Sequence, residues 1–337
     1  MNLISLGIGK NQENYLRYLK NLKQNIFGID KNINQYGKRF CKNVFKISIY
    51  PENINLKKIK KILKDHNISN TIYRSSGPTI LTLYRINKIL KLKRISLELS
   101  RCIYSKSYFN NFLKKNNLPY IQTMNKKSFR INSSKFILKP DSPIIGKNGV
   151  FLIEKKKISK KLLMVSKKNS HNNKVFVTDY INGSDISIFL NVKKGKKKIV
   201  KVLTIYEEIV EIAKNKFVGK GIVYPAKKIN NKLRKNFYNL SKKIINKFTD
   251  FYGIISISFK LTNSGKIYPY EINLGLSGDG FADRLFPLIS PKLSLYDIET
   301  NNIYFNRFLN PKIYRNKYVC YLNNRLIIGK KNYIKQL

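Results

Sequence analysis

Apolar positions recur along this chain in two rhythms, and the switches between them lay out the elements. Leu3 to Ile8 is a near-continuous apolar run ending in Gly7-Ile-Gly9, which predicts a buried strand and a glycine turn. Tyr15, Leu16, Leu19 and Leu22 then share a helical stripe, and Ile26-Phe-Gly-Ile-Asp30 is a second strand closing on an acid. Strand, glycine turn, helix, strand, acid is the layout of a Rossmann-like unit, although the glycine spacing falls short of a dinucleotide fingerprint. The alternation continues with a helix carrying Leu56, Ile59, Ile62 and Leu63, the strand Thr71-Ile-Tyr73, the turn Arg74-Ser-Ser-Gly-Pro78 and a helix from Ile80 to Leu90. Arg74 and Ser75 fall at the carboxyl end of a strand, where open α/β sheets bind ligands, so both are candidate substrate contacts; a plain turn with an exposed arginine fits equally well.

From residue 105 onward the pattern becomes richer in strands. An amphipathic helix from Ser105 to Asn117 carries Tyr108, Phe109, Phe112 and Leu113, with Lys106 at its start. Phe136 to Pro140 is a short strand with Lys139 facing inward, and Phe151 to Ile153 is its partner. The loop between them holds Gly146, Lys147, Asn148 and Gly149, which can lay backbone N–H groups around a polyphosphate or form an ordinary hairpin. It is not a Walker loop, because the glycine spacing differs and it joins two strands. A short helix from Ile158 to Lys168 and strands over Lys174–Ile181, Asp185–Val192 and Ile199–Ile205 follow, with the turn Asn182-Gly183 and a solvated lysine tip at Lys193 to Lys198. Asp185 is placed to accept hydrogen bonds from a ribose. Phe217 to Ala226 is expected to be a loop over the cleft. Ile229, Leu233, Phe237, Leu240, Ile244, Ile245 and Phe248 mark a long core-facing helix. Beyond Asp283 the pattern gives another helix and a tail, Lys317 to Leu337, with no assigned role.

The most informative chemistry lies between these last elements. Gly253 to Leu261 is an apolar strand, Asn263-Ser-Gly-Lys266 a turn, and Ile267 to Ile272 a returning strand. Period-two geometry puts Glu271 and Asn273 on one face at its end, a carboxylate and an amide oxygen aimed the same way. That pair suits a hard cation of the magnesium type, which takes oxygen ligands and borrows others from a bound phosphate. The glycine-rich residues up to Gly280 suit close backbone approach to a ligand.

Composition changes this picture only slightly. At 337 residues, with 42% hydrophobic and 25% charged content, the chain is globular and large enough for two or three lobes. No window resembles a signal peptide or a membrane span, and three unspaced cysteines point to a reducing cytoplasm. With two isolated histidines, a histidine or thiolate metal site is not expected. The net charge of +49 would ordinarily suggest nucleic acid, but the lysines are spread evenly and no aromatic-basic motif stands out. Scarcity of acid is more telling. Glu271, Asp279 and Asp283 are three of only eighteen acidic residues and fall in one short segment.

In their co-linear order these parts resemble the ATP-grasp superfamily of ligases, its carbamoyl-phosphate-synthetase-like and biotin-carboxylase-like branch, over roughly residues 1 to 310. Tyr270-Glu-Ile-Asn273 after a hairpin is the most specific feature. The resemblance implies an α/β and α+β fold: a Rossmann-like pre-ATP-grasp domain over 1–100, a two-lobed ATP-grasp domain over 101–310 and a tail over 311–337. The lid lobe would run over about 130–182 and the C-terminal lobe over about 183–310, with ATP between them. Lys106 and Lys139 would contact phosphates, and Ser142 to Val150, with Gly146, Lys147 and Gly149, would be the mobile lid. Thr178, Asp179, Tyr180 and Ile181 would run beside the adenine, Asp185 would hold the ribose, and Glu271 and Asn273 would hold Mg2+, with Mn2+ as an alternative.

Two positions depart from the family pattern: Ser258 stands where an acidic metal ligand is usual, and Gly275 where an arginine is common. Arg284 and Asp279 are candidate substitutes, Arg284 in the catalytic role beside Lys139. Arg74, Ser75, Tyr224, Gly278, Asp279, Asp283 and Arg284 are candidate specificity contacts from loops. The implied activity is ATP-dependent carboxylate–amine ligation through an acyl phosphate, on small-molecule partners, with no membrane and self-association left open. Loss of catalysis with retained ATP binding is the alternative that Ser258 and Gly275 motivate, and anionic-polymer binding the one that +49 motivates.

Overall fold

The computed structural model describes residues 1–329 apart from 75–76, 124–134, 145, 155–157, 196–197, 277–280, 315–317 and 323–324. Strand β1 (Asn2–Leu6) is almost wholly apolar because the sheet around it is covered on both faces; Leu3, Ile4 and Leu6 are completely buried. Helix α1 (Lys10–Asn21) buries Tyr15, Leu16 and Leu19, whereas Leu22, the fourth member of the expected stripe, is the C-terminal cap and 40% exposed. Strands β2 (Asn25–Asp30) and β3 (Asn43–Lys46), helix α2 (Leu56–Asp65) and strand β4 (Asn70–Ile72) complete a parallel sheet of order β3-β2-β1-β4. This is the Rossmann-like arrangement expected from the alternation of apolar runs and helical stripes.

Helices α3 (Thr79–Ile89), α4 (Leu97–Tyr104) and α5 (Lys106–Lys115) lead out of that sheet. Two serines set the last two boundaries: Ser96 caps α4 by accepting from Leu99 N–H, and Ser105 caps α5 by accepting from Tyr108 N–H. The sequence pattern did not predict α4.

The second sheet is built from β5 (Phe136–Pro140), β6 (Phe151–Ile153), β7 (Val175–Asp179), β8 (Ser184–Val192), β9 (Val200–Ala213), β10 (Lys216–Tyr224), β11 (Gly253–Leu261) and β12 (Ile267–Leu274). Helix α6 (Lys160–Lys168) lies between β6 and β7 in sequence, and α7 (Asn231–Asn246) between β10 and β11. Its order is β12-β11-β8-β9-β10-β6-β5-β7, and its neighbouring strands pair antiparallel. The turn at Asn182-Gly183 is tight: a Cβ on Gly183 would lie 2.1 Å from the Leu261 carbonyl oxygen, so only glycine fits there. Helices α8 (Phe286–Ile289) and α9 (Leu295–Tyr304) then precede the hairpin β13 (Tyr318–Leu322) and β14 (Arg325–Gly329).

Three expectations are corrected by this sheet. Phe217 to Ala226 is not a loop over the cleft; most of it is β10, with Phe217, Ile222, Val223 and Tyr224 buried. Its glycines mimic a loop signal because the register shifts between Gly219 and Gly221, an irregularity inside the ladder. Lys198 leaves the lysine tip and donates to the Ile245 carbonyl at 3.1 Å and to the Phe248 carbonyl, closing the C-terminal end of α7.

The tail has a structural role too, since β13 pairs with β10 and completely buries Val319 and Cys320. Deleting residues 315–337 should therefore cost about 3 kcal/mol or more from those two side chains alone, read as a lower urea midpoint. An unchanged midpoint would show that the hairpin contributes nothing. No helix among the described residues is long and apolar enough to cross a membrane.

Candidate active site

A cleft of ≈ 690 Å³, within the usual range for a small-molecule site, opens over one face of the second sheet. Alternation along the strands puts its polar side chains there. Asp185 and Ser187 come from β8, Glu208 from β9, Ser256, Ser258 and Lys260 from β11, and Glu271 and Asn273 from β12. Glu271 lies directly across from Ser258 and Asn273 across from Ser256, so the expected pair does share one face. Helix α5 brings Lys106 to Glu271, with Nζ 2.6 Å from Oε1. Burial would raise the Glu271 carboxyl, but Lys106, then Lys147 and Lys139, outweigh it and hold the group below its ordinary value.

Every acid in this patch is matched by a lysine. Lys147 reaches Glu208 at 3.3 Å, and Lys260 reaches Asp185 at 2.8 Å. Burial works against the Lys147 charge, yet Glu208 and Asp185 overcome it and lift the group above the usual lysine value. Lys139 is the exception. It is 8% exposed, its Nζ lies 5.1 Å from the Phe176 ring, and burial followed by repulsion from Lys106 lowers its pKa to about 7. A lysine so placed gains its proton most readily when an anion arrives beside it.

The remaining candidates divide. Gly146, Lys147, Val150, Thr178, Asp179 and Ile181 line the cleft. Thr178 Oγ1 is buried with no hydrogen-bond partner among the described residues, so a polar ligand atom would satisfy it. Ser142 does not face the cleft: it is fully buried, its N–H donates to Ser170 Oγ at 3.1 Å, and its carbonyl accepts from His171. Gly149 packs away as well, since a Cβ there would lie 3.2 Å from Ser166 Cα. The Asp179 and Tyr180 N–H groups are taken by the carbonyls of Gln122 and Lys135, whereas the Ile181 N–H has no backbone partner among the described residues.

Arg74 borders the cleft, but its guanidinium is held by Asp283 at 2.5 Å and by the Tyr296 hydroxyl at 2.6 Å. Asn14 also donates to Asp283, at 3.1 Å. Arg74 and Asp283 thus clasp the N-terminal sheet to the segment before α8. Burial would raise the Asp283 carboxyl, but these hydrogen bonds, Arg74 first, bring it below its ordinary value. Arg284 does not serve the cleft. The helical turn Phe281–Leu285 buries Phe281, Ala282 and Leu285, and Arg284 points to β13, donating to the Tyr321 hydroxyl with its guanidinium over that ring. Tyr224 is buried in β10. Ser75, Gly278 and Asp279 lie outside the described residues.

Gly275 is more than a missing arginine. Its φ is +74°, and its N–H donates to the Ile254 carbonyl at 2.7 Å as β12 ends. A Cβ there would lie 3.3 Å from the Tyr73 carbonyl oxygen, so the backbone itself disfavours any larger residue.

Sequence reasoning missed Glu208, Ser187, Lys260 and Tyr206, all of which line the cleft. Its one available signal was Glu207-Glu208, an acidic doublet in a chain with only eighteen acids.

Comparison with known proteins agrees with this architecture. Residues 103–278, just over half of the chain, match the sequence profile of the ATP-grasp domain. No curated protein sequence gives a significant match. Among solved structures, N5-carboxyaminoimidazole synthetase from Staphylococcus aureus complexed with ADP superposes with a TM-score of 0.72 at 15% identity, covering 96% of this chain and 82% of that one. L-amino acid ligase from Bacillus licheniformis gives 0.73 at 12% identity, covering 95% and 78%. The biotin carboxylase domain of Hydrogenobacter thermophilus 2-oxoglutarate carboxylase gives 0.70 at 13%, covering 95% and 73%.

Proposed function

The chain belongs to the ATP-grasp family, and from that premise we propose that it is an ATP-dependent ligase joining a small carboxylate to an amine, with release of ADP. The observation that carries this reading is the cleft that Glu271 and Asn273, on one face of β12, line together with Lys106, Lys139 and Lys147. A substrate carboxylate oxygen attacks the γ-phosphate to give an acyl phosphate and ADP, and the amine then attacks the acyl carbon and displaces inorganic phosphate. Positioning and electrostatics supply most of the catalysis in such a transfer. Lys106 and Lys147 exchange their carboxylate partners, Glu271 and Glu208, for phosphate oxygens, Lys139 gains an anion beside it, Asp185 accepts from the ribose, and Thr178 to Ile181 flank the base.

The carboxylate of Glu271 and the amide oxygen of Asn273 are the hard donors that Mg2+ prefers, and Lys106 already places a cation on Glu271. When bound, Mg2+ would neutralise charge on the terminal phosphates. We assign the lid to about residues 130–182 and the base of the cleft to about 183–310, behind an α/β domain ending near residue 100.

The test is ADP release across a library of amino acids and small carboxylates with amine partners, with product masses read from the positive wells. Magnesium-dependent ADP binding with no turnover on any pair would favour a protein that binds nucleotide without ligating. Tight binding to RNA with a steep salt slope, indifferent to ATP, would favour a polyanion partner instead.

The low pKa of Lys139 gives a second expectation. A phosphate beside Lys139 favours its charged form, so ADP binding just above pH 7 should take up a proton and weaken as pH rises further. Titration calorimetry in two buffers of different ionisation enthalpy measures that uptake. A Lys139→Met protein should lose it, and uptake persisting in that variant would remove Lys139 from the phosphate site.

A further inference from the structure

Among the described residues no three carboxylate, histidine or cysteine side chains converge on one point. Among the described residues, then, whatever a cation held by Glu271 and Asn273 does not take from phosphate oxygens is left to neutral protein oxygens or water. Ser258 is the protein oxygen directly across the strand pair from Glu271, at the position where an acid is usual. Its hydrogen bonding is unusual in a way that bears on this.

Ser187 Oγ donates to Glu208 Oε1 at 2.7 Å, and Ser187 Oγ also lies 2.8 Å from Ser258 Oγ. A hydroxyl carries one proton, and a carboxylate only accepts. The Ser187 proton is committed to Glu208, so in the second contact Ser187 accepts and Ser258 donates. Ser258 thereby spends its proton sideways along the sheet, and both its lone pairs remain for the cleft, which it lines. No donor among the described residues reaches Ser258 Oγ. A serine hydroxyl with its proton turned away is an oxygen ligand. The carboxylate behind it also makes that oxygen more electron-rich, as partners behind a metal ligand commonly do.

We propose that Ser258 is a cation ligand beside Glu271 and Asn273, and that Glu208 on β9 is a positioning residue that aims the Ser258 oxygen through Ser187. The charge normally supplied by an acid on β11 has moved two strands away. It acts through two hydroxyls whose order across the sheet (Ser258 opposite Ser187, and Glu208 on β9 two residues beyond Tyr206, the residue opposite Ser187) is fixed by the strand register. Lys147 completes the device, since it holds the other oxygen of Glu208 at 3.3 Å.

This inference rests on the nucleotide-binding reading, and its test separates the two. Mn2+ binding to the ADP-loaded protein is followed by the electron paramagnetic resonance of free Mn2+, and metal-free ADP binding is measured by calorimetry. Glu208→Gln should weaken Mn2+ binding about tenfold. The same change releases Lys147 for anions, so metal-free ADP binding should stay level or tighten. Two effects of opposite sign are not what general damage to the cleft produces. Ser258→Asp should restore or strengthen Mn2+ binding, and in that background Glu208→Gln should no longer matter. A tenfold loss that persists in Ser258→Asp would overturn the relay, as would unchanged Mn2+ binding in both Glu208→Gln and Ser258→Ala. A wild-type protein that binds neither ADP nor Mn2+ with ADP would remove the ligase reading itself, and this inference with it.

Discussion

A Glu271→Gln protein is expected to fold normally and to release ADP at least about a hundredfold more slowly than the wild type. The change is nearly isosteric and keeps β12 paired with β11. Folding should suffer little, because glutamine keeps the shape, Lys147 keeps Glu208 at 3.3 Å, and the Glu271 side chain that Lys106 loses is 32% exposed. Turnover should suffer, because the amide loses the charge that pairs with a cation, just where phosphoryl transfer concentrates charge. The measurement is ADP release under single turnover, with thermal unfolding as the control for integrity. A folded Glu271→Gln enzyme turning over at the wild-type rate would remove Glu271 from the chemistry.

The largest stability effect is expected elsewhere, at Glu299. Its carboxylate is fully buried on α9, accepts from Arg94 at 3.0 Å and takes the Ile254 N–H at 2.7 Å. Arg94, itself 1% exposed, also donates to the Thr71 carbonyl at 2.9 Å. One ion pair thus ties the parallel sheet, the second sheet and the last helix together. Glu299→Ala should cost about 3–5 kcal/mol, because it strands a buried guanidinium and a buried strand N–H together.

The pair itself need not stabilise. Burial pushes the Glu299 carboxyl up despite Arg94 and the Ile254 N–H, which marks the cost of keeping it charged. An Arg94→Met/Glu299→Leu double variant should therefore be more stable than Glu299→Ala alone. Urea melts of the three proteins decide it. If the double variant loses as much as Glu299→Ala or more, removing the stranded guanidinium brings no relief and the two groups do not act as one unit.

Much of the architecture was legible because it is written in local periodicity. The apolar runs at residues 3–6 and 26–29, the stripe on α1 and the 253–274 hairpin each satisfy a rule that involves only neighbouring positions. The Glu271 and Asn273 pair was readable for the same reason, since two residues two apart on one strand must share a face. Failures came where a local signal had a distant cause. The glycines near Gly219 read as a loop because a register irregularity uses the same residues, and the tail was unreadable because its partner, β10, lies far earlier in the chain. Arg284 looked close to the chemistry in sequence, yet one helical turn burying Phe281 and Leu285 sends it to Tyr321.

By itself, then, the sequence determined most of the strands and helices, though not β3, α4 or β10, together with the pre-sheet and its glycine turn and a strand end that offers a carboxylate and an amide together. Only the tertiary structure decided which lysine faces which acid, that Arg74 is tied to Asp283, and that Glu208 lies within reach of Ser187 and Lys147. The reason is physical. A strand's two faces follow from its own alternation, but the neighbour across a sheet depends on which strands pair and in what register, and that is settled by burial summed over the whole core.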